Sequence, residues 1–176
     1  MLKDFKPVLG ILFRFIMMYL VLLFAYQFYL NSFEKSGLDP FSRLIAGQVR
    51  HIQNFIGFPT RLYNDVTGSQ VWFYVKNGYA TRMVEGCNAI SVMILFLSFI
   101  FAFYKGSRTF IFAFVGLILL YIMNLLRIVG LNVVMTDYKQ YGKAVHDFVF
   151  PAVIYGSVVV LWLVWIKLFA LKNENS

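Results

Sequence analysis

The chain has 176 residues, of which 60% are hydrophobic, 19% aromatic and only 14% charged, with a net charge of +8. Ordinary soluble domains run at roughly 45–50% apolar and about 25% charged. A soluble fold this small has too little interior for the excess, so a soluble globular enzyme is excluded. So is a disordered chain, which needs low hydrophobicity and high charge. One cysteine excludes a disulfide framework or a multi-thiolate metal site. The basic residues form no stripe in a polar domain, so nucleic acid is not the expected partner. They fit the cationic flanks of membrane spans.

Four apolar runs reach or approach the length of about 20 residues that crosses roughly 30 Å of hydrocarbon. The first, residues 8–30, is broken only by Arg14 and Gln27. It is too long for the hydrophobic part of a signal peptide, and no small-residue cleavage site follows, so it reads as a retained span. An extracytoplasmic loop over 31–87 comes next. Within it, Phe41, Leu44, Ile45, Val49, Ile52, Phe55 and Ile56 recur at spacings of three and four. That pattern predicts an amphipathic helix from Phe41 to Phe58, lying on the membrane or on the bundle and ended by Gly57 and Pro59. Arg43, Arg50 and Asn54 fall on its other face, and His51 on its flank.

Val71–Val75 and Tyr79–Val84 flank Asn77-Gly78, a dipeptide suited to a two-residue turn, and predict a β-hairpin. Setting Lys76 opposite Tyr79 groups Trp72, Tyr74, Thr81 and Met83 on one face. Val71, Phe73, Ala80, Arg82 and Val84 then share the other. The second span is read over 88–104. The third is 110–135, with the single charge Arg127, and the fourth is 148–170, with Lys167 at its end. No internal repeat or low-complexity tract is present.

Orientation follows from cations in short flanks. Lys3, Lys6, Arg14, Lys105, Arg108, Lys167 and Lys172 lie on one side, against Asp4 and Glu174. The cations opposite, Lys35 among them, are spread over long loops. Both termini are therefore expected in the cytoplasm, as an even number of spans requires. The expected fold is an all-α membrane protein: one integral domain over 1–176. It is a four-transmembrane-helix bundle with an extracytoplasmic amphipathic helix and a small β-hairpin.

Depth then singles out three residues. Cys87 stands just before the second span, on the outer side. Counted from Phe110, Arg127 lies roughly 25 Å along the third at about 1.5 Å per residue. His146 stands just before the fourth. The only cysteine, the only mid-span charge of the third run and one of two histidines thus share one level on three helices. Cationic neighbours favour the reactive thiolate. A histidine can exchange protons with a thiol or leaving amine, and an arginine can bind a carbonyl or oxyanion. Such a set suits cysteine acyl transfer. Asn124, one turn before Arg127, is placed to orient the guanidinium or the substrate. Each residue also has a plainer reading. A lone cysteine packs, an arginine near a span's end snorkels, and a boundary histidine does nothing special. Glu85 reads as a charge at the hairpin's end more readily than as a base.

At these residues the sequence resembles the exosortase/archaeosortase family of membrane-embedded cysteine transpeptidases. The likeness lies in Val84-Glu85-Gly86-Cys87-Asn88-Ala89-Ile90, in Asn124-Leu125-Leu126-Arg127-Ile128, and in His146 opening the last span. The small size and aromatic loop look like the short exosortase F type. The resemblance implies Cys87 as nucleophile, Arg127 as stabiliser of substrate or transition state, and His146 as general acid/base. Asn124, Asn88 and Glu85 would support them. It implies no metal or organic cofactor. It implies cleavage of a C-terminal sorting segment of secreted proteins at the outer face of the cytoplasmic membrane, with transfer to an acceptor. Many relatives have more spans, so a small membrane partner protein is an expected companion, beside the bilayer itself. After the cysteine, Asn88-Ala89 stands where relatives often carry a small pair such as Ser-Gly. The competing reading is a non-catalytic membrane subunit of a surface-protein or polysaccharide export system that binds through the aromatic hairpin. A small transporter fits less well, because only Asn124 approaches the midplane.

Overall fold

The computed structural model describes residues 6–34 and 36–170. Lys3, Asp4, Lys35, Lys172 and Glu174, used above for orientation, lie outside the described residues. In chain order the elements are α1 (Lys6–Asn31), α2 (Pro40–Phe55), β1 (Thr60–Asn64), β2 (Val71–Val75), β3 (Gly78–Met83), α3 (Ile90–Ala102), α4 (Ser107–Asp137), α5 (Lys139–Ala144) and α6 (Phe150–Trp165). A π-helical turn, Val145–Val149, joins α5 to α6, and a second one, Ile166–Ala170, follows α6.

Three helical stretches are long and apolar enough to cross a membrane: Val8–Asn31, Ser107–Asp137 and the continuous Lys139–Phe169. The expected span over 88–104 is shorter, because α3 has 13 residues. At about 1.5 Å per residue that is about 20 Å, less than the hydrocarbon thickness of roughly 30 Å. Its N-terminal trim has a backbone cause. Gly86 (φ +84°) and Ala89 (φ +60°) are both left-handed, so the chain turns through Cys87 and Asn88 before the helix begins. The tight turn to α4 similarly uses Gly106 (φ +66°). α3 packs along α1, α4 and α6.

α4 errs the other way. Its 31 residues extend about 46 Å at about 1.5 Å per residue, well beyond one bilayer core. The surplus at its C-terminal end carries the sheet. The last expected span also starts earlier than its apolar run: the helix begins at Lys139, so His146 lies within it rather than just before it. Pro151 accounts for the wide π turn. It has no N–H for the carbonyl four residues back, and its ring would strike that carbonyl. Instead the Phe150 N–H bonds the Val145 carbonyl.

The predicted hairpin is two strands of a three-stranded antiparallel sheet of order β1-β2-β3. β1, five residues of mixed polarity before a polar loop, has no alternation that marks it in the sequence. The turn also sits one residue earlier than expected. Val75 pairs with Gly78, and Lys76 and Asn77 take the positive φ values (+51° and +65°). A bulge between Phe73 and Tyr74 then restores the pairs Phe73–Thr81, Trp72–Arg82 and Val71–Met83. This corrects the expected faces. Val71, Phe73, Val75, Thr81 and Met83 are buried, whereas Tyr79 and Arg82 are exposed. A one-residue shift of the turn exchanges the faces of everything beyond it, and the bulge places the consecutive Ala80 and Thr81 both inward.

The loop between β1 and β2 is pinned by Asp65. Its carboxylate accepts from Thr67 Oγ1 at 2.8 Å, Ser69 Oγ at 3.3 Å and the Gln70 N–H at 3.3 Å. The Thr67 hydroxyl, above all, holds that carboxyl below its ordinary value. Gly37 (φ +92°) allows this loop to touch the chain before α2, since a Cβ there would meet the Gly68 carbonyl oxygen at 2.5 Å.

α2 forms close to where its periodicity predicts. Asp39 caps it, accepting the Ser42 N–H at 3.0 Å, and Pro40 occupies the first turn, where its missing N–H costs nothing. Its buried face, Ser42, Ile45, Ala46, Val49 and Gln53, packs on α4 and β1. Of the two docking surfaces open to it in sequence, the helix uses the bundle. Two cores result. Under the sheet, Ile45, Val49, Phe73 and Met83 meet Ile128 and Val129 of α4, each fully buried apolar side chain contributing about 1.5–3 kcal/mol. Between the long helices, Phe96, Ile100, Leu120, Val158 and Trp165 form the second. Lipid removes the hydrophobic drive there, so close contact and small residues carry the packing.

Candidate active site

Three rungs tie the chain from β2 to α3 onto the C-terminal third of α4. Lys76 Nζ meets Asp137 Oδ1 at 2.9 Å beside the sheet's turn. Thr81 Oγ1 donates to Asn132 Oδ1, and Asn132 Nδ2 donates to Gln53 Oε1 at 3.0 Å. Five residues further back, Arg127 Nη2 donates to the Cys87 carbonyl oxygen at 3.1 Å. β3 therefore descends α4 in step and delivers Cys87 to Arg127.

Asn124 Nδ2 donates to the same Cys87 carbonyl at 3.2 Å. The one-turn spacing of Asn124 and Arg127 thus puts both donors on a single acceptor of the cysteine's own backbone. The charge-assisted bond is the stronger of the two. Arg127 Nε and Asn124 Oδ1 are buried and have no partner among the described residues. Arg127 is consequently only partly satisfied by the fold, with donor capacity left over.

A small pocket opens on this point. Cys87, Arg127 and His146 line it together, with Thr81, Arg82 and Met83 of β3 and Phe150 of α6. Cys87 is a free, half-buried thiol packed against the core under the sheet. The charged side chains of the lining, Arg82 and Arg127, are cationic, which suits the binding of an oxyanion. His146 projects from the π turn with its side chain 60% exposed, and its Nδ1 lies 2.8 Å from Asp147 Oδ1. Fixing one ring nitrogen leaves Nε2 for exchange. Asp147 and Arg82 were not singled out in the sequence. Asp147 had a signal in its adjacency to His146. Arg82 had none, because the wrong turn register put it on the face of Val71 and Phe73.

The supporting residues divide. Asn124 is at the site. Asn88 is fully buried and turned the other way, toward α1 and α2. It bonds the Tyr26 hydroxyl at 3.0 Å and Ser42 Oγ at 3.1 Å, and accepts the Ile90 N–H at 3.0 Å. It joins three helices and caps α3, so it positions the cysteine loop from behind and does not line the pocket. Glu85 is exposed and lines a separate shallow groove with Glu34, Ser69 and Gln70. Among the described residues no three His, Cys, Asp or Glu side chains gather as metal ligands.

Apolar helices long enough to cross a membrane thus carry a cysteine, an arginine and a histidine on one pocket beside a small sheet. The family model for transmembrane exosortases matches residues 4–170, and the chain belongs to that family. No curated protein and no solved structure matches it.

Proposed function

We propose that this protein is a cysteine transpeptidase or protease that processes C-terminal sorting signals of exported proteins within the membrane. The observation that carries the reading is the shared pocket of Cys87, Arg127 and His146, drawn from a loop and two helices. In this mechanism the Cys87 thiolate attacks the scissile carbonyl carbon. A carbon–sulfur bond forms while the carbonyl electron pair moves onto oxygen. The unpaired donor capacity of Arg127 stabilises that oxyanion. His146 protonates the departing amine, the carbon–nitrogen bond breaks, and a thioester remains on Cys87. An acceptor amine or water then attacks the thioester, passes its proton to His146, and frees the thiolate.

Asp147 holds the imidazole through Nδ1, the role of the third member in nucleophile–base–orienter sets. Asn124 keeps the Cys87 carbonyl in place. The sheet and the pocket face the outside of the cytoplasmic membrane, both termini face the cytoplasm, and the basic flanks support that orientation. The tail's own transmembrane helix would lie beside the bundle in lipid. A small membrane partner would complete the wall of so compact a site.

The test is direct. Cys87→Ala and Cys87→Ser should each abolish processing of exported proteins while the variant still accumulates in the membrane. Serine is a poorer nucleophile without a strong base, so it should not rescue. Normal processing in either variant overturns the catalytic reading, and hairpin variants that alone disturb export would favour a binding subunit.

A further inference from the structure

β3 is the last strand of the sheet, and only one of its edges is paired. Successive side chains of a strand point to opposite faces. Thr81 and Met83 point inward and Arg82 outward, yet all three line the Cys87 pocket. A cavity reaching both faces of one strand opens on its edge, and β2 closes the other edge. The pocket extends under the sheet to the buried Phe73 of β2 and reaches the unpaired margin of β3.

The backbone there is unused. Val75 and Gly78 flank the two-residue turn as a bonded pair. In an antiparallel ladder the next pair, Tyr74 and Tyr79, turns its N–H and C=O groups outward. For Tyr79, outward means the open margin. Among the described residues no backbone hydrogen bond outside the sheet ladder reaches Gly78–Met83. An edge of this kind is a template for another strand, and here it ends four residues before Cys87.

We infer that the substrate binds as a fourth strand, with the stretch before its scissile bond extended along the free edge of β3 and parallel to it. The proposal rests on the enzymatic reading above. Direction follows from the fold. The Gly78 end of β3 lies by Asp137 at the far tip of α4, and the Met83 end lies at Cys87. A secreted protein whose tail must continue into the membrane enters at the tip and leaves at the cysteine, which is the direction of β3 itself. Main-chain bonds then supply affinity and set the scissile carbonyl at the thiol, whatever the upstream side chains are.

Disulfide mapping tests this. In the full-length protein carrying Cys87→Ala, Tyr79→Cys or Arg82→Cys is introduced. The probe is the exported protein whose unprocessed form accumulates in the Cys87→Ala strain, carrying single cysteines stepped along the stretch before its transmembrane segment. A mild oxidant forms the cross-links. The expected yields peak at alternate substrate positions. Because the bulge makes three residues of β3 span two ladder steps, moving from Tyr79 to Arg82 should shift the peak two residues toward the substrate's transmembrane segment. A shift away from that segment, or yields with no dependence on position, overturns the inference while leaving the enzyme intact. If the wild-type protein itself processes no exported protein, the enzymatic reading fails, and this inference falls with it.

Discussion

Arg127 is asked to do two things with one guanidinium: clamp the carbonyl of Cys87 and keep donors free for an oxyanion. Arg127→Lys keeps the charge but replaces a planar fork by a single ammonium on a flexible stem. Processing rates should fall by about a hundredfold to a thousandfold, of the order lost with one oxyanion donor. Membrane accumulation should be unchanged. Wild-type turnover would reduce Arg127 to a backbone clamp. Ala89 is the other informative residue. Its left-handed backbone costs an alanine about 1–2 kcal/mol, and glycine's extra unfolded freedom costs about 0.5–1 kcal/mol. Ala89→Gly should therefore be neutral to slightly stabilising in detergent melts. Ala89→Val, β-branched in a buried left-handed position, should be destabilised by more than about 1 kcal/mol. Equal stability of the two variants would contradict the backbone described here.

Among the elements, α3 and α4 are held by fit, because lipid supplies no hydrophobic force between them. A Cβ on Gly116 would lie 2.2 Å from Phe96 Cζ, and that ring is fully buried. Gly116→Ala should cost about 1–3 kcal/mol through overpacking. Alanine's helix propensity, about 1 kcal/mol better than glycine's, does not offset a clash of that size. Gly10→Ala is the matched control, since nothing lies within 4 Å of its added carbon. Opposite signs for the two in thermal unfolding would confirm the α3–α4 contact; equal effects would refute it. The elements also differ in how much of them the sequence announces. α2 was readable because its apolar face and its Gly57 stop agree. β1 was not, because Thr60–Asn64 takes its order from β2. The sheet's register differs from the expected one because the packing of Phe73 and Met83 against α4 outweighs the turn's local preference for Asn77-Gly78 over Lys76-Asn77.

At the scale of the whole molecule, a 13-residue α3 packs against three longer helices, α1, α4 and α6. The expected even number of crossings requires this short helix, flanked by protein rather than lipid, to return the chain across the bundle. Tags at the two termini should report the cytoplasmic side, and a cysteine placed at Val66, fully exposed in the β1–β2 loop, should react with an impermeant reagent from outside. Termini on opposite sides would mean that α3 does not complete a crossing. The composition by itself determined a membrane protein, and the apolar runs located its long helices, because a bilayer demands length and hydropathy that no soluble core requires. The order of Cys87, Arg127 and His146 along the chain also marked the candidate site. What only tertiary structure decided is direction: that Asn88 faces α1 while Cys87 faces α4, that Arg82 rather than Glu85 lines the pocket, and that β3 leaves an edge open there. Those choices depend on which way a side chain turns around its helix or strand. A one-residue shift reverses that, and contacts between segments far apart in the chain set it.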